Sequence, residues 1–145
     1  MTRPKRLWVV VLINVAVGSL SLSIDGFLLA KLPPVAGKAG LLLAYVPGVL
    51  VRGALITSSI SAFFGHGRSR WVALGTAILF FGVNLIQSLW FYYQPRPGLT
   101  LDTAWLASSV VNSSLAIVLN LWAFLSEKTE DFFDAAGPNN LSRIP

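Results

Sequence analysis

The chain has 145 residues, 54% of them hydrophobic and 12% charged, with eleven basic and six acidic side chains and a net charge of +5. A soluble domain carries about 25% charged residues, so this composition excludes a soluble globular enzyme, a disordered chain and a coiled coil. It points to an all-α integral membrane protein.

A bilayer-spanning helix needs about 20 apolar residues, because the hydrocarbon core is about 30 Å thick and each residue rises about 1.5 Å. The first uncharged run, Leu7 to Ile24, lies between Arg6 and Asp25 and predicts a helix over 7–29. A basic start and an apolar stretch also suit a signal peptide, but no A-x-A site follows, so a retained first span is expected. The second run, Ala39 to Gly67, is broken only by Arg52 and predicts a helix over 41–65. The third, Trp71 to Pro95, predicts 71–93, and the fourth, Thr103 to Ser126, predicts 102–126. Pro33-Pro34, Gly65-His66-Gly67 and Pro95-Arg96-Pro97-Gly98 separate them. Proline lacks a backbone donor and glycine tolerates positive φ, so these clusters break helices. Residues 1–126 thus form one four-helix transmembrane domain, and 127–145 form a polar, acidic cytoplasmic tail.

Four spans put both termini on one side. That side would hold Arg3, Lys5, Arg6, Arg68, Arg70, Lys128 and Arg143, against Lys31, Lys38 and Arg96 opposite. Basic residues concentrate on the cytoplasmic face. The expectation is an up-down-up-down bundle with cytoplasmic termini, in a cell membrane such as the bacterial inner membrane. Aromatics agree: Trp8, Trp71 and Trp122 fall at one set of ends, and Tyr45, Trp90, Tyr92, Tyr93 and Trp105 at the other. Their amphipathic rings favour the headgroup level.

The helices carry polar stripes. Asn14, Gly18, Ser21 and Asp25 share one face of the first helix. Gly53, Thr57 and Ser61 recur every four residues in the second, and Ser108, Asn112, Ala116 and Asn120 in the fourth. Asn84 and Gln87 sit together in the third. Small residues let membrane helices approach closely, and amides and hydroxyls bond across the seam. Asn14, Ser21, Asn84, Gln87, Asn112 and Asn120 are therefore read as polar bundle interior. Gly18, Gly53, Thr57, Ser61 and Ser108 are read as packing positions. A polar conduit is the competing reading of the same stripes.

Arg52 is the one charge well inside an apolar run, and such a charge needs a partner. Asp25, near the outer end of the first helix, is the first choice, and Asp102 is the second. Counting at 1.5 Å per residue separates Arg52 and Asp25 by only about 7 Å in depth, within reach of a snorkelling arginine. A helix beginning near Pro47 would instead bring Arg52 close enough to the surface to snorkel alone. Arg68 and Arg70 are candidates for anionic lipid headgroups. The acidic tail, with Phe132 and Phe133, reads as a solvated or interfacial helix end.

In outline the four helices resemble the small multidrug-resistance transporters. Those carry an acidic residue well inside the first helix, whereas Asp25 lies near its end, so the likeness transfers no residue role. The expected function is a non-enzymatic accessory or structural subunit, packing with itself or with other membrane subunits in the bilayer. The alternative is a small-solute or ion transporter using Asp25 and Arg52. No catalytic or metal constellation stands out, although Asp25 and Asp102 would suffice for an outer aspartate pair. Haem is not expected without an intramembrane histidine, no other cofactor is indicated, and the scattered basic residues argue against nucleic acid.

Overall fold

The structure is a computed structural model that describes residues 4–31, 38–65, 68–94 and 103–136. These are 94% helical and contain no strand. The helices are α1 Lys5–Lys31, α2 Lys38–Phe63, α3 Ser69–Tyr93, α4 Thr103–Phe124 and α5 Glu127–Ala136. Four segments are long and apolar enough to cross a membrane: Lys5–Lys31, Tyr45–Phe63, Ser69–Tyr93 and Thr103–Phe124.

The ends differ from the run-based expectation for identifiable reasons. α1 extends past 7–29 at both ends, taking in the lysines that bound it, because long charged side chains reach the interface from inside a helix. α2 runs through Pro47 and does not start at it. It stops at Phe63, before the expected residue 65, because Gly65 adopts φ 77° and donates its N–H to the Ala62 carbonyl at 3.0 Å. A left-handed residue there costs little only for glycine. α4 ends at Phe124, and the residues beyond Ser126 form a separate helix. Asp102 lies outside the described residues.

Side-chain contacts step in opposite senses along neighbouring helices. Asn14, Gly18 and Ser21 of α1 meet Ser59, Ile56 and Arg52 of α2 in turn. On α3 and α4, Arg70 meets Phe124 while Ser88 meets Ser109. Gly18 permits a close α1–α2 approach: a Cβ there would lie 2.8 Å from Ile56 Cγ1.

Two apolar clusters fill the bundle unequally. The larger joins Leu7, Val10, Val11, Ala62, Ala73, Leu74, Ala123 and Phe124, with Phe133 of α5. It closes the end where α1 and α3 begin and α2 and α4 finish. Three alanines at that crossing leave room for Leu7 and Phe124 to be fully enclosed. The smaller cluster, Leu55, Ala77, Phe80, Phe81 and Ala116, occupies the middle. Large apolar side chains such as Leu20, Leu50, Ile86 and Val118 are exposed on the outside, as a lipid-facing surface requires.

The tail is more structured than a solvated end. α5 carries Thr129 and Phe133 on one buried face, while Glu130, Asp131 and Asp134 stay exposed. Phe133 joins the closing cluster and Phe132 packs beside it. The run of acids on one face and apolar residues on the other makes the segment amphipathic, so it lies against the bundle.

Candidate functional site

Polar bridges join each pair of adjacent helices. Ser58 and Thr76 hydroxyls meet at 2.8 Å between α2 and α3, and Ser88 and Ser109 meet at 2.8 Å between α3 and α4. α1 and α4 are tied by reciprocal amides. Asn14 Nδ2 donates to Asn120 Oδ1 at 2.8 Å, and Asn120 Nδ2 returns a bond to Asn14 Oδ1 at 3.2 Å. Asn14 also donates to Ser59 Oγ at 3.3 Å, and Asn120 to the Ala116 carbonyl at 2.9 Å. Both amides are buried and well supplied with partners, as a low-dielectric interior demands.

The fourth bridge, between α1 and α2, is ionic. Arg52 Nη1 lies 2.5 Å from Asp25 Oδ2, and Arg52 Nε donates to Ser21 Oγ at 2.6 Å. Helical side chains lean toward the N-terminus of their own helix. Arg52 therefore folds back along α2 over Gly48, where an added Cβ would fall 2.6 Å from Nη1. Gly48 is the opening that lets the guanidinium reach Asp25, four residues before it. Asp25 is only 8% exposed. Its Oδ2 accepts no hydrogen bond of good geometry, so the contact with Arg52 is a charge pair, not a linear hydrogen bond.

Two cavities flank this bridge. One of about 410 Å³ is lined by Asp25, Tyr45, Pro47, Gly48, Val51, Arg52, Phe80, Val83, Asn84 and Gln87. The other, about 570 Å³, lies between α1, α3 and α4, with Ser21, Asn84, Ser108, Ser109, Asn112 and Ser113 as its polar groups. Its rim residues Leu20, Trp105 and Leu115 are exposed, so it opens sideways between α1 and α4. Phe80 and Asn84 line both cavities. Asn84 spends one amide hydrogen on the Phe80 carbonyl at 2.8 Å, leaving the rest of its amide for other partners.

The sequence-named residues divide. Asn14, Gly18, Asp25 and Asn120 are buried, and Ser21, Arg52 and Asn84 are partly buried. Gln87 and Asn112 are exposed and rim the cavities, so they are not interior. Gly53 has no neighbour within 4 Å of an added Cβ, and Thr57 and Ser108 are exposed, so none of these three packs helices of the same chain together. Thr57 and Ser108 donate back to their own helices, to Gly53 O and Trp105 O at 2.8 Å each. Ser61 sits between these extremes, in a shallow groove with Ala54, Thr57 and Val72.

Helix geometry explains the division. At 100° per residue a four-residue repeat drifts about 40° per step. Over the 12 residues from Ser108 to Asn120 the drift reaches about 120°. One end of that stripe therefore faces in and the other out. The spacing Asn14, Gly18, Ser21, Asp25 drifts only about 20° over 11 residues and stays inside.

The arginines at the closed end also separate. Arg70 is buried, donates Nε to the Phe124 carbonyl at 2.7 Å and has Nη2 3.8 Å from Glu130 Oε2. It satisfies a carbonyl left open by the end of α4 and ties α3 to α5, so it is not available to lipid headgroups. Arg68 is exposed and stays free for that role. Ser58, Ser59, Thr76 and Gly48 belong to the bridges but were not singled out from the sequence. Gly48 had a signal, a glycine four residues before an intramembrane arginine. No protein family, curated protein or solved structure matches the chain.

Proposed function

We propose that the chain is a multi-pass, up-down-up-down membrane subunit with cytoplasmic termini, without enzymatic activity, that assembles with a second copy of itself. The alternating contacts between neighbouring helices support the topology. The basic residues at the closed end, with exposed Trp8, Trp71 and Trp122 beside them, support its assignment to the cytoplasm. A bacterial inner membrane fits the same charge distribution.

One observation carries the assembly. Asn112 and Ser108 lie within a membrane span, exposed on the rim of the α1–α4 groove. An amide in lipid is unfavourable without a partner. Amides and hydroxyls both donate and accept, so the same face of α4 on a second copy complements it around a two-fold axis. The chain contains no cysteine, which makes the test direct. Single cysteines at Asn112 and at outward-facing Val118 are introduced and membranes are oxidised. Disulfide dimers at position 112 and none at 118 are expected. Absence of both, with a native mass equal to one chain and no accompanying protein, would reject assembly. A native mass that includes another protein would replace self-assembly with a heteromeric complex.

A second reading, small-solute or ion transport, draws on one feature: two cavities meet at Phe80 and Asn84, and one holds the Arg52–Asp25 pair. Flux in liposomes with Asp25→Asn and Arg52→Gln tests it. Unchanged flux removes both residues from any transport mechanism.

A further inference from the structure

The Arg52–Asp25 pair is not used up by its own contact. Arg52 engages Ser21 through Nε and Asp25 through Nη1, and no partner among the described residues takes Nη2. Asp25 presents Oδ2 to Arg52, and no described group bonds Oδ1. Both residues line the cavity of about 410 Å³. With respect to the described residues, that cavity therefore holds an unused cationic donor beside an unused anionic acceptor. Around them stand the Tyr45 hydroxyl, the amides of Asn84 and Gln87, and apolar walls from Val51, Phe80 and Val83.

Charge decides which molecule fits. A lone anion on Arg52 would sit against the Asp25 carboxylate. A lone cation on Asp25 would sit against the guanidinium. Either leaves an unbalanced charge in a low-dielectric site, which is strongly unfavourable. A molecule carrying both a primary ammonium and an acid group keeps the site neutral and gives each unused atom a charge-assisted bond. Asp25 Oδ1 requires an N–H donor, so a quaternary ammonium would not serve.

We infer that this cavity binds a small bipolar group, its ammonium on Asp25 and its acid group on Arg52. The apolar walls lie beside it, and exposed Pro47, Val83 and Gln87 leave a mouth between α2 and α3. Two sources share this chemistry, a free amino acid and a phosphoethanolamine lipid headgroup. The inference depends on neither functional reading above, since it concerns only this cavity.

The full chain in phosphatidylcholine nanodiscs is titrated calorimetrically with glycine and with glycerophosphoethanolamine. Acetate and methylammonium serve as the single-charge probes. Saturable binding of at least one bipolar probe is expected, about tenfold or more tighter than either single charge. Preference for glycine assigns the site to amino acids, and preference for glycerophosphoethanolamine assigns it to lipid headgroups. Asp25→Asn should abolish binding. Gln87→Ala, which leaves the ion pair intact, should weaken it several-fold at unchanged melting temperature, so the test survives if the aspartate variant fails to fold. Binding of neither bipolar probe, or of acetate or methylammonium as tightly as the bipolar ones, would overturn the inference.

Discussion

At the closed half of the bundle, Leu7, Phe124 and Phe133 are sealed among alanines from α2, α3 and α4, and α5 lies over the end. At the open half the same four helices border two cavities, and polar groups stand among the apolar residues that line them. The difference lies in which residues stand at the crossings. Ala62, Ala73 and Ala123 are small enough to be fully enclosed among larger side chains, whereas Phe80, Asn84, Arg52 and Asp25 border open volume. Burial is comparable for Phe124 and Phe80, yet one is surrounded by side chains and the other borders empty space twice. A buried residue is thus not by itself a packed one. Function is better sought where polar and charged groups border open volume than where apolar side chains fill it.

The sharpest comparison is between those two phenylalanines. Phe124→Ala should lower stability by about 4 kcal/mol, as for a well-packed core aromatic. Phe80→Ala should cost only about 1 kcal/mol, because few atoms contact it on its cavity sides. Reversible unfolding in mixed micelles measures both, and equal losses would erase the distinction between the halves.

Breaking the ion pair comes next. Asp25→Leu leaves the partly buried Arg52 without its carboxylate, at a cost of about 3 kcal/mol. Adding Arg52→Leu should recover most of it, since an apolar pair of similar volume replaces the charges. A double variant as unstable as the single one would show that the pair acts through packing, not charge.

At the closed end, Arg70→Gln should cost about 2 kcal/mol through the unsatisfied Phe124 carbonyl. It should also release α5, read as faster proteolysis after Ser126. Unchanged proteolysis would detach α5 docking from Arg70. The smallest effect is expected for Asn14→Val, about 0.6 kcal/mol, the average size of an interhelical bond in a membrane. A double-mutant cycle with Asn120→Val isolates the coupling of the reciprocal amide pair, and a coupling of zero would show that the amides do not help to close the bundle.

Much of this was legible in the sequence, for physical reasons. The spans could be read because lipid forbids charge, so charges mark the ends. The depth of Arg52 relative to Asp25 followed from helix rise alone, and the two are in contact. The α1 stripe kept its face because its spacing matches 3.6 residues per turn. The α4 stripe, read as interior throughout, turns outward at Ser108 and Asn112 because four residues overshoot a turn. The tail was harder. Its acids suggest solvent, while the burial of Phe133 depends on an apolar cluster with Leu7, Leu74 and Phe124 that only the assembled bundle creates. Cavity volume was beyond reach, since it depends on the distance between helices and not on their sequence spacing.

The absence of cysteine allows the contrast between halves to be tested by labelling. Single cysteines replace Gln87 and Asn84 in the open half, and Ser59 and Ala73 in the closed half. Each variant is treated in membranes with a small, charged, water-soluble thiol reagent. Rapid labelling at 84 and 87 and none at 59 and 73 is expected. Equal protection at all four sites, or labelling of the closed pair, would contradict a bundle that is sealed at one end and hollow at the other.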